Sequence, residues 1–267
     1  MTDKNAFTGT TLDGLHNFRD TGGIPLSSGG VIRSGVLFRS DALDALTRRG
    51  IEQLAQSPIG VIVDLRTPNE RQSAPDKLPT SRPFHVVELS ILEGAMTGLA
   101  QQFMRGGLSS DAITQAMTQL PNLRELYTGM LTHGAASFAQ IARRVAAQTD
   151  DAPTAVLVHC TAGKDRTGVA TALLLDAAGA DRAAVIADYA SSQANLAGSW
   201  TDRMLATVSA LGVPLTRELR EIVTGTPPAA MEHALAWVDA HGGSAAYLRS
   251  GGLDDTELDA LRARLAG

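Results

Sequence analysis

Residues 158–168 read VHCTAGKDRTG and hold Cys160, the only cysteine among 267 residues. The segment just before it, TAVLVHC (154–160), is apolar until it reaches His159. A run of that kind suits a strand buried on both faces of a parallel sheet. The segment just after it, from Arg166 to Ala178, is apolar and alanine-rich and ends at Gly179. It reads as a buried helix with a glycine stop signal. Strand, short turn and helix in direct succession predict an α/β fold.

The flanking sequence extends that pattern. GVIVDLR (60–66) and FHVVELS (84–90) are two further strand candidates, the first closing with charge where a parallel strand would end. The first forty residues, rich in Gly and Ser, read as loops and edge strands. Thr47 is a candidate N-cap for a short helix, RRGIEQLAQ. Apolar residues at helical spacing across 111–148 predict two or three helices. Further helices are expected at 181–192, 199–211, 216–223, 228–241 and 255–266, with Asp181, Thr216 and Asp254 as caps. The expected architecture is a small, mostly parallel central sheet surrounded by helices, with a helical C-terminal part. Glycines punctuate residues 93–110, which read as a mobile insertion; Phe103 and Met104 within it are candidates for a lipid- or peptide-facing rim, or for core.

Composition narrows the function. Hydrophobic content of 44% and charged content of 19% allow an ordinary core. A net charge of −5 argues against binding nucleic acid through bulk charge, but leaves room for a local anion site. One cysteine forms no internal disulfide and no CxxC pair. His16, His85, His133, His233 and His241 stand singly, so no metal site and no cofactor are expected. No apolar run reaches the ~18 residues of a membrane span. No basic and apolar leader is visible at the N-terminus, so a cytoplasmic enzyme is expected, with export left open.

The turn between strand and helix carries the chemistry. Thr161, Ala162, Gly163, Lys164 and Asp165 can curl so that their backbone N–H groups converge on an anion, with the helix dipole adding to the field. Gly163 and Gly168 relieve steric limits there. Cys160 at the base of such a nest is favoured as thiolate and can attack phosphorus. The planar fork of Arg166 can hold two phosphate oxygens and the charge of the transition state. The Thr167 hydroxyl can donate to the sulfur, and a ring N–H of His159 can brace loop carbonyls. Asp165 can act as general acid and then as base on water, with Asp64 as the reserve acid. Lys164 adds a cation at the rim that would suit a multiply phosphorylated head group. The lysine is not followed by Ser or Thr, so the loop is not a nucleotide-binding P-loop.

The string HCxAGKDRTG resembles the phosphate loop of the cysteine-dependent protein tyrosine phosphatases, in a bacterial subgroup with tyrosine and phosphoinositide activity. HNFRD (16–20), LFRS (37–40), VDLR (63–66), VIADYASSQANL (185–196) and the C-terminal GGSAAYLRSGGLDDTELDALRARL are similar to that family in order and spacing, so the resemblance spans nearly the whole chain. It implies a single phosphatase domain over 1–267, with Cys160 as nucleophile, Arg166 as clamp, Asp165 as loop acid and Lys164 as the lysine associated with lipid activity. It also implies a helical lid, placed near 191–230, and a phosphorylated protein or phosphoinositide substrate with no cofactor. No WPD string, the usual source of the acid, is present.

Asn17, Arg19, Asp20, Arg39 and Asp41 read as a buried polar network knitting the N-terminal segment to the core, with support of the phosphate loop as the alternative. Asp64 and Arg66 suit either a rim role or a salt bridge. Tyr189 and Asn195 suit packing or substrate contact. A rhodanese-type sulfurtransferase and a non-catalytic phosphate-binding module are the competing functions.

Overall fold

The computed structural model describes residues 11–91, 120–147, 153–210 and 212–266. Five strands form one sheet: β1 (Arg19–Asp20), β2 (Leu37–Ser40), β3 (Ile59–Asp64), β4 (His85–Glu88) and β5 (Ala155–His159). Their order is β1-β2-β5-β3-β4. β1 runs antiparallel to β2, and the other three pairings are parallel. The most apolar strand, β5, is central, with Leu157 opposite Phe38 on one side and Ile62 on the other.

Both faces of β5 are buried, and its side chains alternate between two clusters. Val156 and Val158 join Met130, Phe138 and Leu173; Ala155 and Leu157 join Phe38, Leu54 and Ile62. Each such aliphatic side chain contributes about 1.5–3 kcal/mol through burial. The second cluster is closed by α1 (Arg48–Gln56), which supplies Leu54. The first is closed by α3 (Leu123–Ala146), α4 (Arg166–Ala177), α8 (Pro228–Ala240), α9 (Gly243–Ser250) and α10 (Asp255–Ala266). The remaining helices are α2 (Pro68–Ser73), α5 (Arg182–Asn195), α6 (Ser199–Ala210) and α7 (Arg217–Thr224).

The expected caps form. Thr47 accepts from Gly50 N, Asp181 from Ala184 N, and Thr216 from Leu219 N. Asp254 and Glu257 exchange bonds in both directions. Two elements differ from expectation, the short helix α2, which was not expected, and α9. Of the helices expected across 111–148, the described residues hold one, 123–146, and residues 111–119 lie outside them; its internal Gly134 is explained by packing, since a Cβ there would stand 2.7 Å from the Phe138 ring. Helix α9 was hidden between glycines; its N-cap Gly242 has φ +93° and offers no capping side chain. The insertion placed at 93–110, with Phe103 and Met104, lies outside the described residues.

Parallel β2, β5 and β3 all end at one edge of the sheet, and the turn after β5 lies there, the usual position of a ligand site in such sheets. Helix α6 packs on that turn through a small buried cluster of Ala162, Leu196 and Trp200, with Met204 against it.

Candidate active site

The turn from Cys160 to Arg166 is held from outside by its carbonyls. Thr161 O accepts from Ala42 N at 3.1 Å, Ala162 O from Asn17 Nδ2 at 2.9 Å, and Gly163 O from Arg39 Nη2 at 2.8 Å. His159 Nδ1 lies 3.3 Å from Cys160 O. Peptide planarity turns each N–H away from its own unit's carbonyl, so pinned carbonyls leave the amides for the inner side. Among the described residues, nothing accepts from the N–H groups of Thr161 to Asp165. The result is a cradle of amides at the start of α4, with buried Cys160 at its foot. Gly163 permits it: φ is +67°, and a Cβ would fall 2.2 Å from Ser40 O. Gly168 permits close packing behind it, with a Cβ position 3.0 Å from the Tyr189 ring.

The polar residues near the N-terminus do more than knit that segment to the core. Asn17 and Arg39 bond the loop directly. Arg39 Nη1 and Arg19 Nε in turn hold the two oxygens of Asp188, each at 2.6 Å. Burial pushes the Asp188 carboxyl upward, but the charges of Arg39 and Arg19 outweigh it and keep it below its ordinary value. Asp41 accepts from the backbone of His16 and Asn17. Asp20 instead bonds Gly22 N and Gly35 N, in a separate turn. Asn195 donates to Asn17 Oδ1 and so belongs to the same support.

Arg166, the first residue of α4, points its fork at a residue the sequence reading missed. Its Nη1 lies 2.9 Å from Glu70 Oε2 and its Nη2 lies 2.7 Å from Glu70 Oε1. Glu70 also accepts from Thr161 Oγ1 at 2.6 Å and from Thr67 N at 2.8 Å. Burial alone would raise the Glu70 carboxyl; its bonds to Arg166 and that residue's charge outweigh burial and hold it far below the usual carboxylate range. Glu70 therefore stays ionised and fixes the plane of the guanidinium. Thr67 and Glu70 form a capping box at the start of α2, and the T-x-x-E spacing was the one signal in the sequence. Glu70→Gln keeps the shape and removes the charge. A fall in kcat of about 100-fold with little change in KM is expected from the loosened guanidinium; steady-state kinetics on an aryl phosphate measures it.

Several expected placements change. Lys164 is buried rather than at the rim. Its ammonium donates to Asp165 Oδ1 at 2.8 Å, Ile222 O at 2.8 Å and Gly225 O at 3.1 Å, so its three protons are taken and it ties the loop to the end of α7. Thr167 is buried, and its hydroxyl meets no partner among the described residues, so the expected bond to sulfur is not formed. Asp64 is spent on Arg66, which binds both its oxygens and also Asp76; the salt-bridge reading holds for this pair, and Asp64 is not poised as a reserve acid. His159 Nε2 lies 3.3 Å from Asp76 Oδ2. Burial raises the Asp76 carboxyl, and His159 and Arg66 more than offset it, leaving it lowered. Asp64, Asp76 and His159 come close enough to share an ion, but the Arg66 guanidinium is already bonded to both carboxylates.

Asp165 is the N-cap residue of α4 and is half-buried. Tyr127 Oη donates to its Oδ1 at 2.7 Å, and Tyr189 Oη lies 2.8 Å from Tyr127 Oη. Thr161 and Glu70 form part of the wall of a cavity of about 400 Å³, along with Arg66, Trp200, Arg203 and Met204. A buried thiol sulfur, an amide cradle, an oriented guanidinium and the Asp165 carboxyl group are a set that can perform substitution at a tetrahedral oxyanion.

Comparison with known proteins agrees. The sequence model of the tyrosine phosphatase family matches residues 10–267. A tyrosine-protein phosphatase of Nostoc commune is 31% identical over 238 residues, 88% of this chain and 75% of that protein. A putative tyrosine-protein phosphatase of Cupriavidus necator is 31% identical over 202 residues, 76% of this chain and 69% of that one. The triple specificity protein phosphatase PtpB of Mycobacterium tuberculosis is 29% identical over 280 residues, 96% of this chain and 98% of PtpB. With a match running from the first described turn through the last helix, and with its loop built as an anion cradle, this chain belongs to the tyrosine phosphatase family.

Proposed function

We propose that the protein hydrolyses phosphotyrosine monoesters through a phosphocysteine intermediate. The observation that carries this reading is the set of amides from Thr161 to Asp165, for which no acceptor stands among the described residues. Cys160 Sγ attacks phosphorus; the S–P bond forms as the bond to the phenolic oxygen breaks, and Asp165 gives that oxygen a proton. Asp165 then takes a proton from water, which breaks the S–P bond and returns phosphate and thiolate. Arg166 and the amides hold the equatorial oxygens throughout.

The remainder of the substrate fits the cavity beside Thr161, where Trp200 and Met204 offer an apolar wall to an aromatic ring. Helix α6 packs on Ala162 and the end of α7 accepts from Lys164, which supports reading the region near 191–230 as a lid. Activity on phosphoserine or phosphothreonine is the second reading, favoured by the likeness to a protein named for triple specificity. A phosphoinositide head group would have to draw on a cation other than Lys164, and exposed Arg203 on the cavity wall is the candidate. Membership of the phosphatase family speaks against the sulfurtransferase reading.

Asp165→Asn tests the chemistry. We expect loss of about 100-fold on phenyl phosphate, whose leaving group needs a proton, and a loss of only a few-fold on 2,4-dinitrophenyl phosphate, whose leaving group does not. An equal loss on both would remove Asp165 as the acid. A panel of phosphotyrosine, phosphoserine and phosphoinositide substrates, read by phosphate release, assigns the substrate class; turnover confined to thiosulfate would overturn the whole reading.

A further inference from the structure

Behind the loop lie two buried phenols, Tyr127, which no motif brought out, and Tyr189, read from sequence as packing or substrate contact. Tyr127, on α3, and Tyr189, on α5, are both fully buried, and their rings meet edge to face with centroids 6.0 Å apart. Their hydroxyls meet each other at 2.8 Å, and Tyr127 continues to Asp165 Oδ1 at 2.7 Å.

The order of the protons follows from counting them. Each phenol has one O–H to give. A carboxylate oxygen only accepts, so Tyr127 gives its proton to Asp165. Tyr127 must then accept from Tyr189, and the chain runs in one direction, from Tyr189 to Tyr127 to Asp165. Lys164 Nζ also donates to the same oxygen, Oδ1. Among the described residues, no donor bonds Oδ2.

We infer that Tyr127 is the positioning residue of the acid: with Tyr189 behind it, it fixes the Asp165 carboxyl so that Oδ2 carries the proton passed to the leaving oxygen. The inference rests on the reading of Asp165 as the acid. The phenol contributes most as the proton leaves, because a donor to a carboxylate stabilises the charged form over the neutral one. In that step the Oδ2–H bond breaks, the proton goes to the departing oxygen, and the new negative charge on the carboxylate is shared with the Tyr127 and Lys164 donors. In the second step the same carboxylate takes a proton from the attacking water. Burial, and next the charge of Asp165, drive the Tyr127 hydroxyl well above its ordinary value, so it remains a donor and does not itself ionise.

Tyr127→Phe removes one hydroxyl and keeps the packed ring. The test is a series of aryl phosphates ordered by leaving-group basicity, run on wild type, Tyr127→Phe, Tyr189→Phe and Asp165→Asn. For Tyr127→Phe we expect kcat to fall about tenfold on phenyl phosphate and less than twofold on 2,4-dinitrophenyl phosphate, with KM unchanged. A purely structural role would slow all substrates alike, and that flat loss, or no loss, overturns the inference. Tyr189→Phe is expected to show the same slope at smaller amplitude, about threefold on phenyl phosphate. It decides the matter if circular dichroism finds Tyr127→Phe unfolded; a flat response from Tyr189→Phe then overturns the inference. Asp165→Asn separates the two levels. If it steepens the series and the tyrosine variants do not, the positioning role alone fails. If Asp165→Asn is itself flat, the acid assignment fails and takes the positioning role with it.

Discussion

Replacing Cys160 with Ser is expected to lower kcat by on the order of 10⁵-fold or more, the scale seen when a covalent nucleophile is removed. The hydroxyl occupies nearly the same space, yet it does not ionise at neutral pH and the step that forms the S–P bond is lost. Binding should survive. The amides of Thr161 to Asp165 are backbone groups, and the bonds that aim them come from Ala42, Asn17 and Arg39, none of which involves the sulfur. Isothermal titration of Cys160→Ser with inorganic phosphate should therefore give an affinity at least equal to wild type, since the anion no longer meets a negative sulfur. Measurable turnover would reject the nucleophile assignment. Lost phosphate binding in a folded variant would reject the cradle.

The second large effect concerns Arg166. Arg166→Lys keeps one positive charge but loses the planar fork, and it cannot span both oxygens of Glu70 while facing phosphate. A fall in kcat/KM of about 10³-fold is expected, the scale of removing one preorganised donor to a developing charge. Most of it should appear in kcat, because equatorial charge on phosphorus spreads only in the transition state. A loss confined to KM would make Arg166 a simple binding charge. Combining Arg166→Lys with Glu70→Gln should cost less than the product of the two single effects, because Glu70 acts through the guanidinium that the first change removes.

The sheet was legible because buried parallel strands are written as unbroken apolar runs: TAVLVHC and GVIVDLR name their own strands. The helices after residue 180 were legible through Asp181, Thr216 and Asp254, whose side chains cap what they were expected to cap. Helix α9 was not, because Gly242 starts it with backbone alone. Cys160 and Arg166 were singled out by C-x5-R, since their spacing is local. Glu70 was not, because its partner Arg166 lies 96 residues away. Tyr127 was hidden for a related reason: a phenol in an apolar helical stripe has the pattern of core, and only the fold reveals where its hydroxyl ends. Lys164 was misplaced because sequence gives the charge of a loop residue but not its direction.

The cradle is tied by donors far away along the chain: Asn17 reaches Ala162 across 145 residues and Arg39 reaches Gly163 across 124. Such closures are among the slowest contacts for a chain to make. Helical turns can form on local contacts before those long-range bonds aim the loop's carbonyls. Recovery of enzymatic activity after dilution from denaturant should therefore lag behind recovery of helical circular dichroism.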